Sequence, residues 1–325
     1  MRFLVLVSFL VTLVAGLPSP RHTISWDHFW THEEIEHYIH EMAEDFPDIA
    51  TIETIGTSSE GRNIEGLYIS YDGNNAKPLI IIDGGLRARE WVSPMVGMFI
   101  IHELVEHPEE YTEILEVVNF LVIPLVNPDG YVYSHETDRN WIKTRSSNGD
   151  NCYGVDLNRN FGYEWGTIGG SSDPCADNFH GSAAFSEPES QALRDTISRY
   201  SENLRLYLSV QAADKKVLYP FSYNGLRTPS NVEEHVAVAQ SVTREMMGKH
   251  GYIYTYGAAG ILLPVESGTV TDFVAGTYSP QYTFVLETRA EDGYELPVER
   301  LSEVLYETAA GLKVLGEYAA GIRSA

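Results

Sequence analysis

Short, continuously apolar segments recur along the chain and predict strands in the interior of a sheet. Residues 79–82 are apolar, and residues 118–124 are apolar except for Asn119. Neither segment has the alternation of a half-exposed strand, which is typical of strands covered on both faces. Residues 204–210 and 282–286 predict two later strands. An antiparallel pair is expected earlier in the chain, at residues 51–55 and 64–70.

Amphipathic segments between these strands predict helices. Thr31 precedes two glutamates and marks a helix start, and Pro297 suits the first turn of a terminal helix. Residues 127–130, Asn-Pro-Asp-Gly, are a strong turn signal. The helices are expected at residues 31–46, 93–106, 187–200, 230–250 and 297–318.

Strands that alternate with helices along the whole length predict an α/β fold. The 325 residues would suit two average domains or one large one, and no linker or internal repeat divides them. We therefore expect a single three-layer domain over residues 26–325. Its mixed, mostly parallel twisted sheet would carry helices on both faces.

The amino terminus has the pattern of a secretory signal peptide at residues 1–16. One basic residue precedes an apolar run, and small residues surround the expected cleavage after Gly16. An N-terminal membrane anchor is the alternative. We expect a secreted, extracellular protein with a short segment, residues 17–25, before the domain. The formal charge of −24 argues against nucleic acid or an anionic membrane as a partner.

Cys152 and Cys175 are the two cysteines of the sequence. In an oxidising compartment an isolated pair usually forms one disulfide, although two free buried thiols remain an alternative. A bridge closing a loop of this length stabilises a fold by about 3 kcal/mol.

A double glycine and a charged cluster, Arg-Ala-Arg-Glu-Trp at 87–91, follow the strand at 79–82. They would lie at the carboxyl end of that strand, where open α/β sheets place their ligand crevice. This segment resembles the loop His-Ser-Arg-Glu-Trp of the secreted zinc carboxypeptidases of the A/B type. The resemblance covers residues 25 to 320 and includes NPDGY at 127–131, WIKTR at 141–145, VDLNRNF at 155–161, the segment at 174–181, LYP at 218–220 and YTF at 282–284. It also implies a disulfide between Cys152 and Cys175, because the family joins the cysteines that flank the loop between these two positions.

The resemblance implies that two of the three zinc ligands are replaced. The family's two histidines fall at Arg87 and Gln211, and its glutamate at Glu90. Arginine stays protonated and offers only donors, and a neutral glutamine amide is a poor zinc ligand. No metal or other cofactor is therefore expected. A related hypothesis is that the Arg87 guanidinium fills the vacated position and pairs with Glu90.

The resemblance implies further losses at the reactive centre. It places the general base at Val285, the oxyanion-stabilising arginine at Ile142 and the tyrosine that covers bound substrate at Pro264. Glu287 lies on the same strand face as Val285, but two residues along a strand span about 6.6 Å. That is too far for a base that must reach one water. No catalytic residue is therefore expected.

Groups that bind the substrate's terminal carboxylate are kept. Asn158 and Arg159 match the pair that holds this carboxylate in the family, and Arg89 matches a subsite arginine. The alternative is that Arg159 anchors its own loop through buried hydrogen bonds. Thr271 stands at the specificity position and indicates no particular side chain.

Losses confined to the reactive centre indicate a secreted, inactive carboxypeptidase-like protein that binds through the retained carboxylate pocket. Peptide C-termini or a secreted protein are the expected partners of a monomer. One alternative is an active zinc carboxypeptidase that removes C-terminal residues, with zinc as cofactor. Another is a structural or surface-interaction protein with a vestigial crevice. No folded propeptide is expected before residue 26, although a truncated sequence would look the same.

Overall fold

The computed structural model describes residues 24–149, 151–291 and 293–325. The predicted signal peptide at residues 1–16 lies outside these residues, as does most of the short segment after it. Among the helices of the described ranges, none combines the length and the apolar character needed to cross a bilayer.

The described residues form a seven-stranded mixed sheet in the order β1-β2-β4-β3-β5-β6, with β7 paired to β5. Pairing is antiparallel from β1 through β2 to β4, and parallel from β4 through β3 to β5. The strands are β1 Ala50–Thr57, β2 Asn63–Ile69, β3 Leu79–Asp83, β4 Asn119–Ile123, β5 Leu204–Tyr219, β6 Thr255–Ala258 and β7 Tyr282–Arg289.

Strand β5 holds β7 between its own two halves. In the first half Gln211 pairs with Glu287 in parallel register. The chain then reverses at Ala213 and Lys215, which have positive φ angles of 149° and 52°. Beyond the reversal Lys216 also pairs with Glu287. A strand in a sheet can pair with one neighbour on each side, so the carboxyl end of β7 lies between the two halves of β5.

Helices cover both faces of this sheet. The side chains of Ile80 and Ile82 on β3 pack in a cluster with residues of α1, α2, α6 and α9, whereas Ile81 packs with residues of α5 and α8. This alternation confirms the expected three-layer α/β domain. The helices are α1 His32–Asp45, α2 Val92–Glu106, α3 Thr112–Leu115, α4 Pro128–Glu136, α5 Pro188–Tyr200, α6 Val232–His250, α7 Ala259–Leu262, α8 Val270–Thr277 and α9 Leu301–Ala319.

Some elements differ from the sequence-based expectation. The predicted turn at 127–130 opens helix α4, because the Asn127 side chain accepts a hydrogen bond from the Gly130 amide at 3.0 Å and caps the helix. The strand predicted at 204–210 continues to Tyr219, and α3, β6, α7 and α8 were not predicted.

The disulfide between Cys152 and Cys175 is present, with Cα atoms 4.9 Å apart, as the sequence predicted. Among the described residues there is no free cysteine. The bridge closes the segment that contains Asp156, Asn158 and Arg159, so it anchors part of the predicted carboxylate pocket.

Candidate functional site

The predicted site residues converge at the carboxyl ends of the parallel strands β3 and β5. Arg87 and Glu90 lie in the loop between β3 and α2, and Gln211 lies within β5. Gly85 makes the sharp exit from β3, with a φ of +62° and Leu125 only 2.6 Å from where a Cβ would stand. Glycine is therefore required at the start of this loop.

Arg87 is at the centre of the cluster. Its Nη1 donates a hydrogen bond to Gln211 Oε1 at 3.2 Å and lies 3.5 Å from Glu90 Oε1. Its Nε lies 3.8 Å from Asp156 and its Nη2 lies 3.8 Å from Glu266. Burial alone would lower the pKa of this guanidinium, but the surrounding carboxylates outweigh burial and raise it. Arg87 therefore provides a permanent positive charge here.

Glu90 is buried, with 4% of its surface exposed. Burial raises the pKa of its carboxyl, while the Arg87 charge and a hydrogen bond from the Ala212 amide at 2.9 Å oppose that rise. The two side chains thus lie together, in agreement with the hypothesis that Arg87 pairs with Glu90. A carboxylate at this depth needs such a partner.

Gln211 provides no free donor atom for a metal. Its Oε1 accepts hydrogen bonds from Arg87 and, at 3.5 Å, from Asn158 Nδ2, and its Nε2 donates to Ser209 at 3.2 Å. Of the three positions that the resemblance aligns with zinc ligands, only Glu90 presents a carboxylate, and Arg87 has no lone pair to offer. This donor set does not fit a tetrahedral zinc ion, which needs three protein ligands and a water.

Glu287, rather than Val285, reaches the cluster. Val285 packs with Leu218 and Ala259 in a small apolar group. Glu287 is 4% exposed, and its pKa is raised well above the ordinary value by burial and then by repulsion from Glu90. The resemblance placed the general base at Val285, whereas the side chain that lies beside the cluster is that of Glu287. The strand register accounts for this position, because it pairs Gln211 with Glu287.

The other two replaced positions bring no charge to the site. Ile142 is buried, and its carbonyl accepts a hydrogen bond from the Ala88 amide at 3.1 Å. It therefore braces the loop that carries Arg87 and has no cation to offer an oxyanion. Pro264 is exposed in the loop after α7, two residues before Glu266.

Asn158 and Arg159, the residues predicted to hold a substrate carboxylate, already make hydrogen bonds within the protein. Arg159 Nη2 donates a short hydrogen bond to Glu266, and Nη1 donates to the Asn158 carbonyl at 3.1 Å. Asn158 Oδ1 accepts from the Val270 amide at 3.2 Å. Arg159 therefore both braces its own loop and binds a carboxylate from another loop.

Arg89 lies at the edge of the cluster. Its guanidinium stacks over the Tyr294 ring at 4.3 Å, and its carbonyl accepts a hydrogen bond from Arg139 at 2.7 Å. Its charge also opposes the rise that burial causes in the pKa of Glu90. Thr271 is buried on α8.

Sequence reasoning missed Asp156 and Glu266 as members of the cluster. Asp156 stands inside the VDLNRNF motif, so its place beside Arg159 could have been found from that motif. Glu266 lies in a loop of 263–269 that carries no motif, and its contact with Arg159 depends on how two loops meet. The sequence gives no signal for that contact.

Comparisons with known proteins identify the family to which this fold belongs. The family model described as zinc carboxypeptidase matches residues 35–311. Carboxypeptidase B of Astacus astacus is 33% identical over 299 residues, covering 91% of this chain and 98% of the relative. Carboxypeptidase A from Helicoverpa armigera superposes with a TM-score of 0.86 at 32% identity, covering 94% of this chain and 77% of that one.

A complex of bovine thrombin-activatable fibrinolysis inhibitor with tick carboxypeptidase inhibitor also matches. Its TM-score is 0.83 at 28% identity, and the match covers 92% of this chain and 99% of that one. By the family match, the sequence identities and the superposition, this chain belongs to the zinc carboxypeptidase family.

Proposed function

We propose that this chain is a secreted, inactive carboxypeptidase-like protein that binds peptide or protein C-termini without cleaving them. The observation that carries the proposal is the position of Arg87, which donates to Gln211 at 3.2 Å and lies 3.5 Å from Glu90. The guanidinium thus occupies the space between the former ligand positions, and it repels any dication that would enter.

Charge compensation supports the absence of zinc. In a zinc enzyme the metal would neutralise the buried glutamate, and here Arg87 supplies that positive charge to Glu90. Removing the metal without such a replacement would leave a buried carboxylate unpaired, at a cost of several kcal/mol. The cluster is therefore stable as a metal-free arrangement.

The lack of an oxyanion cation supports the absence of turnover. Developing negative charge on a substrate carbonyl needs a preorganised donor or cation, and the matching position is the apolar Ile142. Loss of one such donor typically costs about 100-fold to 1000-fold in rate. Loss of the metal as well leaves no source for the nucleophilic hydroxide.

Arg159 supports the binding part of the proposal. A planar guanidinium holds a carboxylate in a geometry that suits bidentate recognition, and Arg159 already binds the Glu266 carboxylate in this structure. The related thrombin-activatable fibrinolysis inhibitor binds a protein inhibitor, so this fold accommodates a protein partner. We extend that property to this chain.

Two further candidates each have one observation in their favour. An active zinc carboxypeptidase is favoured by Glu287, a buried carboxyl with a strongly raised pKa at the edge of the cluster, which suits a proton acceptor. A vestigial crevice is favoured by the contact between Arg159 and Glu266, because the cation already has a partner.

The test is peptide binding by calorimetry together with mass spectrometry of the recovered peptide. N-acetylated tripeptides ending in Phe, Leu, Lys or Arg are compared with the same peptides carrying a C-terminal amide. We expect binding of free carboxylates, loss of that binding in Arg159→Ala and intact recovered peptide. Arg194→Ala, which removes a partly exposed arginine paired with Asp195, is the matched control. Shortened peptides would support the enzyme, and equal binding of the amides would refute carboxylate recognition.

A further inference from the structure

Glu266 brings a carboxylate to the cluster from a separate loop. One of its oxygens accepts a hydrogen bond from Arg159 Nη2, and the other lies 3.8 Å from Arg87 Nη2. The carboxylate thus bridges two guanidinium groups, one oxygen facing each. A free peptide C-terminus would present the same chemical group to Arg159.

The backbone around Glu266 is fixed by hydrogen bonds to two other segments. The Glu266 amide donates to the Ser222 carbonyl at 3.2 Å, and the Ser267 amide donates to the Ile168 carbonyl at 3.0 Å. The Ser267 hydroxyl accepts from the amides of Thr167 and Ile168, both at 3.1 Å. These hydrogen bonds therefore fix the backbone position from which the Glu266 side chain contacts Arg159.

The side chain of Glu266 is nevertheless able to leave. It is 16% exposed, whereas that of Arg159 is 10% exposed. Rotation about its own side-chain torsions moves the carboxylate towards solvent without breaking the backbone hydrogen bonds. Arg159 Nη1 remains bound to the Asn158 carbonyl at 3.1 Å, so the guanidinium stays in place when Glu266 departs.

From these contacts we propose that Glu266 is an internal ligand of Arg159 that a peptide carboxylate must displace. This inference rests on the proposed binding function. Two carboxylates in one site would repel each other, so Glu266 and a peptide terminus compete for the same Nη2 donor. The native chain therefore binds free C-termini more weakly than a chain without the Glu266 charge.

The experiment measures the affinity of the same tripeptides for the native chain, Glu266→Gln and Arg159→Ala. We expect Glu266→Gln to bind free carboxylates about tenfold to a hundredfold more tightly than the native chain. The reason is that Arg159 Nη2 can then donate one charge-assisted hydrogen bond to the peptide carboxylate. Glu291→Gln, which removes the charge of a surface partner of Arg300, controls for the change in net charge and should leave affinity unchanged.

Acetate provides a second readout that does not depend on the peptide sequence. Acetate should raise the Tm of Glu266→Ala by filling the vacated position, since a ligand that binds the folded state stabilises it. It should leave the Tm of the native chain and of the double variant Glu266→Ala/Arg159→Ala unchanged. Equal responses in all three proteins would overturn the inference.

The outcomes separate this inference from the proposed function. Equal, Arg159-dependent affinity in the native chain and Glu266→Gln would overturn the internal ligand and leave carboxylate binding intact. Absence of peptide binding in both proteins would overturn both proposals. Tighter binding in Glu266→Gln that is lost with Arg159→Ala supports the internal ligand.

Discussion

The Nη1 atom of Arg87 lies 3.2 Å from the side-chain oxygen of Gln211 and donates a hydrogen bond to it. The sequence resemblance aligns both residues with zinc-binding histidines of the family, and here one side chain donates to the other. The interaction also orients the guanidinium towards Glu90, 3.5 Å away. Arg87 therefore has a hydrogen-bond acceptor in Gln211 and a charge partner in Glu90.

Restoring both histidines should restore metal binding. The double variant Arg87→His/Gln211→His would present two imidazoles and the Glu90 carboxylate, the number and type of ligands that zinc requires. We expect stoichiometric zinc in this variant after gel filtration and none in the native chain, measured by atomic absorption.

The single variant Gln211→His is the control for this gain. Gln211→His alone keeps the repelling guanidinium, and it should remain free of zinc. A double variant without zinc that is nevertheless folded by circular dichroism would contradict the placement of these ligands.

Removing the Arg87 charge should destabilise the fold. Arg87→Ala leaves the Glu90 carboxyl buried without its cation, and breaking a buried pair in this way costs about 3 kcal/mol. Urea unfolding measures the change. Arg244→Ala removes an exposed arginine of α6 and should change the free energy of unfolding by less than about 0.5 kcal/mol. A loss no larger than in that control would show that Arg87 does not compensate Glu90.

Buried Asp83 should make stability depend on pH. Burial raises its pKa from 3.8 to about 7, against a hydrogen bond donated by Ser209 at 2.9 Å. Between these values the folded state holds a proton that the unfolded state releases, so the free energy of unfolding falls as the pH rises from 4 to 7. One such group contributes a slope of up to about 1.4 kcal/mol per pH unit.

The variant Asp83→Asn tests this dependence. It should reduce the fall in the free energy of unfolding between pH 4 and 7 without abolishing it. Part of the fall remains because burial also raises the pKa of Glu189 and of Asp272 to about 7. Asp48→Asn, at an exposed position, should leave the slope as in the native chain. An unchanged slope in Asp83→Asn would refute the assignment.

The disulfide should stabilise the segment that carries Arg159. Cys152 and Cys175 are separated by 23 residues, and closing a loop of this size contributes about 3 kcal/mol. The double variant Cys152→Ser/Cys175→Ser should lose that amount in urea unfolding, and reductant should no longer affect it. Native stability that is the same with and without reductant would contradict this prediction.

Most of the fold could be predicted from the sequence because buried parallel strands leave a strong local signal. The apolar run at 79–82 coincides with β3, and Thr31 caps α1 through a capping box with Glu34. Strand β5 was predicted too short, because residues 214–216 of its continuation are charged and the chain reverses direction at Ala213. Helix α8 was missed because it is short and rich in valine and threonine, which are poor helix formers.

The site was predictable where a motif fixes the residue and not where two distant segments meet. Arg87, Glu90 and Gln211 converge as expected from their motifs. Whether Val285 or Glu287 lies beside Gln211 depends on the register of β7 against β5, which is a tertiary property. The contact of Glu266 with Arg159 depends on packing between loops, for which the sequence has no pattern.

The most direct test of the central claim is to measure zinc content and peptide hydrolysis together on the purified chain. The protein is incubated with excess zinc, passed through a desalting column, assayed for metal and then incubated with the tripeptides. We predict no stoichiometric zinc and no release of C-terminal residues, because the Arg87 guanidinium holds the metal position. One zinc per chain with chelator-sensitive release of C-terminal residues would contradict the account and establish an active carboxypeptidase.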